Sequence, residues 1–444
     1  MLWVHSNSNI KMAKPTFQRP KGTADLLPDQ TVKWQHVEST ARLLFGDYNF
    51  KEVRTPIFEN FEIFSRSAGD TSDVVTKEMY DFHDKGDRHI ALRPEGTAGV
   101  VRAYVENKLY GPEFDKPYKT FYIGPMFRYE RPQAGRFRQF HQIGVEAFGS
   151  KSPALDVEII AMAIDFFKTL GLQNLKVAVN TLGDQRSRAS YRQALIDYLK
   201  PHFDELSTDS QTRLEQNPLR VLDSKDARDQ VFVADAPSIL DYLSPEATEH
   251  WQQVQTILKA LDIDFEIDAT MVRGLDYYND TIFEIMTVDD HLKGAATIAG
   301  GGRYSGLVSE FGGPETPGVG FGIGIERLIS LLSTQQVAPI DDHGFDFYVV
   351  NIGEKTDVVA TQIAQAIRSF GYVTERDYLG RSAKAQFKTA DRHRAKYVVT
   401  IGEQELSDQV ANIKNMTTGQ QKTVKLAELY TNLPMLIDSE ENKV

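Results

Sequence analysis

The sequence has no cysteine among its 444 residues. Disulfides, Cys-ligated zinc sites and iron–sulfur clusters are therefore excluded, and the absence fits a reducing compartment such as the cytoplasm. No run approaches the roughly 20 apolar residues of a membrane helix, and the N-terminal residues lack the apolar core of a signal peptide. We therefore expect a cytoplasmic protein with no membrane partner.

Motifs of several common enzyme classes are also missing. The chain has no GxxxxGK(S/T) phosphate loop, no HExxH zinc motif and no GxSxG nucleophile elbow, which excludes the enzyme classes that depend on them. GVGFGIG, from Gly318 to Gly324, resembles a GxGxxG loop only loosely, and no βαβ unit with a suitably placed acid follows it. Glycine at alternate strand positions instead predicts that something flat lies against that strand.

Acidic residues outnumber basic residues, and the net charge is −12. This argues against a chain that is basic throughout, but local basic patches can still bind nucleic acid. With 41% apolar and 25% charged residues, the chain has material for roughly two to four domains.

The order of helix- and strand-like segments predicts four zones. Residues 1–11 are expected to form a disordered tail, with Met12 as an alternative start. A helix is predicted over 32–48, followed by a strand over 50–58 in which Pro56 favours an edge or an interface. Residues 181–262 are polar and helix-rich, and we interpret them as an inserted helical module. Strand-like patterns resume at Phe265 in a third zone, which ends with PGVGFGIGIERLISLLS. From residue 345 strands alternate with helices, which predicts a separate small α/β domain.

The stretch FYIGPMFRYERPQAGRFRQFHQIGVEAF, residues 121–148, predicts two strands joined by a basic loop. In the second strand Gln142, Gly144 and Glu146 share one face, because side chains two apart point the same way. The alternating positions 143, 145 and 147 are apolar. A polar face beside the loop arginines favours a site for an anionic ligand that carries an amine; a half-solvated antiparallel sheet is the alternative.

Four further segments carry charged or aromatic side chains at turns. LRPEGTA places Glu95 ahead of a helix, RGLDYY places Arg273 before two tyrosines, and AGGGRY is interpreted as a glycine loop. Each has a structural alternative: Thr97 as an N-cap with Glu95 a surface acid, a turn arginine, or a plain turn. In GIERLI, Arg327 lies in the first turn of a helix, where a cation is unfavourable, and this indicates a nearby anion.

The set KGTADLLP, LRPEGTA, FRYERPQAGRFRQFHQ, RGLDYY, AGGGRY and GIGIERL resembles the histidyl-tRNA synthetases, a family of class II aminoacyl-tRNA synthetases. The resemblance covers nearly the whole chain from Gln18 onward. It implies an α+β protein, with an antiparallel-sheet catalytic domain, a helical insertion and a C-terminal α/β anticodon-binding domain, and it implies a homodimer. The implied domains are a tail (1–11), the catalytic domain (12–180 and 263–333), the insertion (181–262), a linker (334–344) and the anticodon-binding domain (345–444).

The activity implied by the resemblance has two steps. The carboxylate of L-histidine attacks the α-phosphorus of ATP and releases pyrophosphate, and the 3′ end of tRNA(His) then takes the histidyl group and releases AMP. Mg²⁺ is expected to accompany ATP, and no protein metal-ligand set is assigned. Such phosphoryl chemistry needs positioning and charge stabilisation more than covalent help.

The resemblance also implies roles for individual residues. Around ATP it places Arg128 at the α-phosphate, Arg327 at the γ-phosphate and Arg136 near the β- and γ-phosphates. Arg273 is similar to an additional family arginine that contacts both the histidine carboxylate and the α-phosphate. We expect Arg128 and Arg273 to be catalytic and also to belong to the histidine-binding set.

Histidine and tRNA contacts are implied in the same way. Residues around the amino group of histidine are Glu95, Gly96, Thr97 and Gln142, and those that contact the imidazole are Glu146 and Tyr278, with Tyr277 beside them. Arg131 and Gln133 are expected to face the tRNA acceptor end.

The C-terminal domain carries a basic stripe of its own. Arg381, Lys384, Lys388 and Arg392 are spaced as one face of a helix, which favours contact with tRNA phosphates. A solvated helix face is the alternative.

Two non-enzymatic alternatives are considered. One is a synthetase-like regulatory subunit of histidine biosynthesis, which would lack the anticodon domain and catalytic motif residues that this chain keeps. The other is an RNA-binding module with an inactive site, against which Arg128, Arg273 and Arg327 count. Histidine-dependent exchange of pyrophosphate into ATP would separate all three.

Overall fold

The computed structural model describes residues 17–68, 72, 74–131, 136–289, 294–335 and 344–441. The chain divides into two compact units, Met1–Ala338 and Pro339–Val444. The predicted tail at 1–11 and most of the predicted linker at 334–344 lie outside the described residues. Within these ranges, no helix combines the length and apolarity that crossing a bilayer would take.

The elements of the first unit follow one another as a mixture of strands and helices. They are α1 (Pro28–Asp47), β1 (Lys51–Glu52), β2 (Phe58–Asn60), α2 (Phe61–Ala68), β3 (Tyr80–His83), β4 (His89–Leu92), α3 (Thr97–Glu106), β5 (Tyr118–Phe127), β6 (Gln139–Phe148), α4 (Pro153–Thr169), β7 (Leu175–Thr181), α5 (Gln185–Leu199), α6 (Thr208–Gln216), α7 (Ala227–Val233), α8 (Pro245–Ala260), β8 (Phe265–Ile267), β9 (Asn279–Asp289), β10 (Gly294–Tyr304), α9 (Leu307–Glu310), β11 (Gly318–Gly324) and α10 (Ile325–Thr334).

The main sheet of this unit has eight strands in the order β1-β5-β6-β11-β10-β9-β7-β8. Neighbouring strands pair antiparallel except β1 with β5 and β7 with β8. On β6, Ile143, Val145 and Ala147 are fully buried, in one core cluster with Phe45 of α1 and Phe166 of α4. The opposite face of the same strands is therefore the one left to form a site, and the α+β expectation is confirmed.

A second, three-stranded sheet has the order β2-β4-β3. The strand predicted over 50–58 is wrong as a single element, because β1 joins the main sheet and β2 joins this small one. Pro56 lies in the connection between them, where a residue without an N–H cannot extend a ladder. The predicted helix over 32–48 is confirmed by α1.

Helices α5–α8 lie between β7 and β8, which are adjacent and parallel in the main sheet. The segment predicted as an insertion is thus connected to this sheet at both ends. Its bounds, like the other domain limits, stay a prediction.

The second unit has its own five-stranded sheet. Its elements are β12 (Phe347–Asn351), α11 (Asp357–Ser369), β13 (Thr374–Arg376), α12 (Ala383–Arg392), β14 (Tyr397–Ile401), α13 (Glu403–Ser407), β15 (Val410–Asn415), β16 (Gln421–Lys425) and α14 (Leu426–Glu441). The strand order is β13-β12-β14-β15-β16. Buried residues of α11 and α14 share one core cluster, whereas those of α12 belong to another. The predicted α/β domain is therefore confirmed.

Candidate active site

Four of the predicted arginines line one cavity of about 280 Å³ in the first unit. Arg128 follows β5, Arg136 precedes β6, Arg273 precedes β9 and Arg327 lies in the first turn of α10. Glu130, Glu326, Phe140 and backbone of the central strands, at Gly300, Gly322 and Gly324, complete much of the wall. Four cations converging on a small space make a site for a polyanion.

Each of three arginines is fixed by a neighbouring group. Arg128 Nε donates to the Pro94 carbonyl at 2.9 Å, and its guanidinium lies 5.5 Å from the Phe140 ring centroid. Arg327 Nη1 donates to the Thr297 carbonyl at 2.7 Å. Arg136 pairs with Glu130 at 3.2 Å. These contacts hold the guanidinium groups at the cavity before any ligand binds.

Arg273 is fixed by the Glu284 carboxylate and by the absence of a side chain at Gly300. Its Nη1 pairs with Glu284 of β9. A Cβ on Gly300, the cross-strand partner of Glu284, would lie only 2.3 Å from Arg273 Nη2. Glycine at this position is therefore what allows the guanidinium to lie flat against β10.

The glycine loop predicted at AGGGRY is wrong. Residues 299–304 lie inside β10, which pairs with β9 on one side and β11 on the other. The glycines are required because the neighbouring strands approach β10 closely. A Cβ on Gly301 would lie 2.1 Å from the carbonyl oxygen of Gly320 in β11. Arg303 is buried against Asp156, to which Nε donates at 2.9 Å, so this arginine has a structural partner away from the cavity.

Glu146 lies against a group of tyrosines that includes Tyr277, Tyr278 and Tyr304, here called the aromatic cluster. Glu146 is 1% exposed, so the half-solvated sheet does not hold at this position. Thr97 Oγ1 donates to Oε1 at 2.7 Å and Tyr304 OH donates to Oε2 at 2.5 Å. Burial raises the pKa of Glu146 to about 8, although both hydroxyl donors oppose the rise. The carboxylate keeps acceptor capacity for a further N–H donor.

Glu95 is also buried, which rules out the alternative in which it is a surface acid. Its carboxylate accepts from the backbone N–H groups of Thr97 at 2.6 Å and Ala98 at 2.8 Å. Glu95 thereby binds the first turn of α3. Gly96 is the N-cap, so the structural alternative in which Thr97 is the N-cap does not hold. Burial raises the pKa of Glu95.

Ring contacts define the rest of this cluster. Tyr277 lies with its ring centroid 4.6 Å from that of Tyr278 and 5.4 Å from that of Tyr304. The Tyr122 ring covers Gly96 and Gly144, where an added Cβ would approach it to 2.2 Å. The backbone at Gly144 is therefore covered by a ring of the protein itself.

Sequence reasoning missed Tyr122, Tyr304 and His141 as parts of the site. Tyr122 is the cross-strand partner of Gly144, a signal that only the register of β5 and β6 could reveal. His141 donates its backbone N–H to Glu326 at 2.9 Å, and its Nδ1 lies 3.0 Å from the same carboxylate. These contacts hold α10, and hence Arg327, against β6.

Three predicted residues lie at the edge of the site or beyond it. The amide nitrogen of Gln142 lies 4.0 Å from the position of a Cβ on Gly322, at the cavity wall. Arg131 is exposed. Gln133 lies outside the described residues.

In the second unit the predicted basic stripe is partly wrong. Lys384, Lys388 and Arg392 are exposed on α12. Arg381 precedes the helix, and its Nε pairs with the buried Asp377 while Nη1 donates to Thr389 at 3.2 Å. The helical spacing holds for the last three residues of the stripe. The helix begins only at Ala383, so Arg381 lies before it and pairs with Asp377.

Known proteins share both units. A sequence model of the family described as histidyl-tRNA synthetase matches residues 22–328, and one described as an anticodon binding domain matches residues 346–435. A curated histidine–tRNA ligase from Lactiplantibacillus plantarum is 65% identical over 423 residues, covering 95% of this chain and 99% of the relative. One from Levilactobacillus brevis is 64% identical over 422 residues, covering 95% and 98%.

A solved structure agrees with these sequences. The apo S. aureus histidyl-tRNA synthetase superposes with a TM-score of 0.81 at 39% identity, covering 93% of this chain and 98% of that one.

Proposed function

The chain belongs to the histidyl-tRNA synthetase family, and from this premise we propose which residues bind each substrate. The chain is a histidine–tRNA ligase, and the match to the anticodon-binding domain removes the regulatory-subunit alternative. The RNA-binding alternative with an inactive site does not hold either, since the curated relatives are ligases.

The reaction has two steps, and each step forms one new bond to the histidine carboxyl group. A carboxylate oxygen bonds to the α-phosphorus of ATP as the bond to pyrophosphate breaks, which gives histidyl-adenylate. The terminal ribose hydroxyl of the tRNA then bonds to the carbonyl carbon, and AMP leaves. The protein contributes chiefly by orienting the reactants and stabilising charge.

The arginine-lined cavity is the proposed ATP site, and the convergence of four guanidinium groups is the observation that carries this assignment. Arg128 would contact the α-phosphate, Arg136 the β- and γ-phosphates and Arg327 the γ-phosphate. Arg327 is well suited because its contact with the Thr297 carbonyl uses one of five N–H donors and leaves the others for phosphate oxygens.

Arg273 is the proposed catalytic cation. It lines the ATP cavity, and its guanidinium carbon lies 5.8 Å from the ring centroid of Tyr278, which belongs to the aromatic cluster. A group between the ATP cavity and the aromatic cluster can contact both the histidine carboxylate and the α-phosphate. It would offset their mutual repulsion and gain as charge develops in the transition state.

The aromatic cluster around Glu146 is the proposed histidine site. Glu146 would accept one imidazole N–H and the Tyr278 hydroxyl would bond the other ring nitrogen. Glu95, Gly96, Thr97 and Gln142 would surround the amino group, with Tyr277 beside the ring. Because the Thr97 hydroxyl already donates to Glu146, its contribution includes holding that carboxylate in place.

Mg²⁺ fits this site as a companion of ATP. Among the described residues no cluster of three or more carboxylate or imidazole groups could hold a metal, but Glu130 and Glu326 line the cavity. Mg²⁺ is commonly bound by one or two carboxylates together with substrate phosphates and water. When bound it would neutralise phosphate charge.

For tRNA(His), we propose that Arg131 and Gln133 face the acceptor end. Lys384, Lys388 and Arg392 would contact phosphates, and Arg381 would contribute through its remaining donors. The cytoplasm is the proposed compartment, since the chain has no cysteine and its substrate is a tRNA.

A homodimer is supported by an apolar face on the small sheet. Phe58 lies opposite Leu92 and Phe82 lies opposite Ile90, which puts all four side chains on one face. Phe58 is 58% exposed and Phe82 is 46% exposed. A second copy of the chain would cover this surface.

The KM values for ATP and for histidine, measured in variants of each proposed site, test these assignments. In histidine-dependent pyrophosphate exchange, Arg327→Ala should raise the KM for ATP, whereas Glu146→Gln should raise the KM for histidine. Each variant should leave the other KM nearly unchanged, because Arg327 lines the cavity whereas Glu146 does not. The reverse pattern, or equal changes in both constants, would contradict the assignment.

A further inference from the structure

The main chain that carries Arg273 lies in an irregular segment, residues 268–278, between β8 and β9. This segment belongs to none of the strands in the described part of the chain, so no ladder holds its backbone. Asn180 of β7 donates to the Met271 carbonyl at 3.0 Å, which fixes the start of the segment. The position of Arg273 itself depends on other contacts.

Those contacts come from the helical segment between β7 and β8. Arg220, in the 3₁₀ turn Pro218–Val221 after α6, donates from Nη1 to the Arg273 carbonyl at 2.8 Å. Asn217 donates from Nδ2 to Asp276 Oδ1 at 3.0 Å. The 3₁₀ turn and the residue before it thus bind the loop at two points, on either side of Gly274 and Leu275.

Packing and charge reinforce the same contact. Met271 and Tyr278 of the loop belong to one buried cluster with Leu219, Leu222 and other residues of the inserted helices. Burial raises the pKa of the Asp276 carboxyl, and the attraction of the Arg220 guanidinium opposes that rise. The loop that carries Arg273 therefore packs against the inserted helices.

The side chain of Arg273 is held at its other end by the main sheet. Glu284 pairs with its guanidinium and Gly300 leaves space for it. Across the described part of the chain its buried Nε has no hydrogen-bond partner. The backbone anchor at Arg220 and the ion pair at Glu284 together determine where the guanidinium lies.

We propose that Arg220, assisted by Asn217, is a positioning residue for catalysis: it fixes the main chain of Arg273 so that the inserted helices set the place of the catalytic guanidinium. The inference rests on the proposed role of Arg273. Without the anchor, the loop backbone can shift, and the guanidinium shifts with it because the ion pair with Glu284 alone does not fix its position. Misplacement of a catalytic group by about 1 Å can cost roughly a hundredfold in rate.

A double-mutant cycle in the full-length protein tests this coupling. Histidine-dependent pyrophosphate exchange is measured for wild type, Arg220→Ala, Arg273→Ala and the double variant. Arg220→Ala should lower kcat by roughly ten- to hundredfold with little change in the KM for ATP or histidine, because only the transition-state contact is impaired. In the Arg273→Ala background it should cause no further loss, because its effect acts through Arg273.

Arg228→Ala is the matched control. Arg228 is an exposed arginine of the same inserted helices, and it pairs with Asp226 rather than with the loop. Arg228→Ala should leave the exchange rate of each background unchanged, whether that background is wild type or Arg273→Ala. A fall equal to that of Arg220→Ala would mean that loss of charge on the insertion is the cause, and would overturn the proposal.

Two further variants keep the test decisive if Arg220→Ala melts well below wild type. Arg220→Lys should recover part of kcat, since an ammonium can still donate to the carbonyl but lacks the fork of donors. Asn217→Ala should lower kcat in the same direction by a smaller factor. Wild-type kcat in Asn217→Ala together with no recovery in Arg220→Lys would overturn the proposal.

The outcomes also separate this inference from the proposed catalytic role. If Arg273→Ala exchanges pyrophosphate at the wild-type rate, the role of Arg273 is wrong. If Arg273→Ala is impaired but Arg220→Ala is not, or if the two losses multiply in the double variant, only the positioning role fails.

Discussion

Gly300→Ala is expected to inactivate the enzyme without unfolding it. The added methyl group would lie 2.3 Å from Nη2, 2.6 Å from Nη1 and 2.7 Å from Cζ of Arg273. All three atoms belong to the end of a flexible side chain. The strand backbone can therefore stay in place while the guanidinium moves away from β10.

The size of the effect follows from that displacement. The guanidinium must shift by about 1 Å before Nη2 reaches the 3.4 Å of an ordinary contact, and a shift of this size at a catalytic group costs roughly a hundredfold. The ion pair with Glu284, the cross-strand partner of Gly300, would be strained at the same time. The loss should appear in kcat rather than in the KM for histidine, because Glu146 and Tyr278 are untouched.

The assay is histidine-dependent pyrophosphate exchange, together with a melting curve for each variant. Gly46→Ala in α1 is the control, since a Cβ there meets no described atom within 4 Å and alanine favours a helix. Gly300→Ala should melt close to wild type and exchange about a hundredfold more slowly. Near wild-type exchange would refute the reasoning that Arg273 must lie flat against β10.

Three further predictions concern other parts of the molecule. Burial raises the pKa of Glu146 to about 8, and a protonated carboxyl is a poorer acceptor for an imidazole N–H; kcat/KM for histidine should therefore rise toward about pH 8 and level off above it. Glu146→Gln should abolish that rise, and an unchanged profile would contradict the assignment. Replacing Lys384 and Lys388 with alanine should weaken tRNA binding and reduce its salt slope by about one unit for each phosphate that is no longer bound, with adenylate formation unaffected; an equal fall in exchange would make these lysines structural. Sedimentation at micromolar concentration should report two chains, and Phe58→Glu with Phe82→Glu should shift the protein toward a monomer, whereas a stable, active wild-type monomer would exclude the dimer.

Much of the site was predictable because its charged residues stand in short motifs. Arg128, Arg136, Arg273 and Arg327 are each assigned from the motif that contains them, without knowledge of the cavity. Their convergence follows from the order of the main sheet, in which β6, β11, β10 and β9 are consecutive neighbours.

What escaped prediction depends on register and on tertiary contacts. AGGGRY has the composition of a loop, yet close approach of β11 makes those glycines necessary inside β10. Tyr122 of β5 reaches the site because it lies directly opposite Gly144 on the adjacent strand β6. The contact of Arg220 with the Arg273 carbonyl joins residues 53 apart along the chain, and no local pattern in polar helices signals such a bond.

The most direct test of the account is the rate of histidine-dependent pyrophosphate exchange in Arg273→Ala. Loss of one preorganised cation at the reacting groups should lower this rate by at least about a hundred- to thousandfold, while tRNA binding and the melting temperature stay close to wild type. Arg273→His should not restore the rate, because a neutral imidazole supplies neither the charge nor the fork of donors. Exchange by Arg273→Ala at near the wild-type rate would contradict the claim that this guanidinium acts between the histidine carboxylate and the α-phosphate.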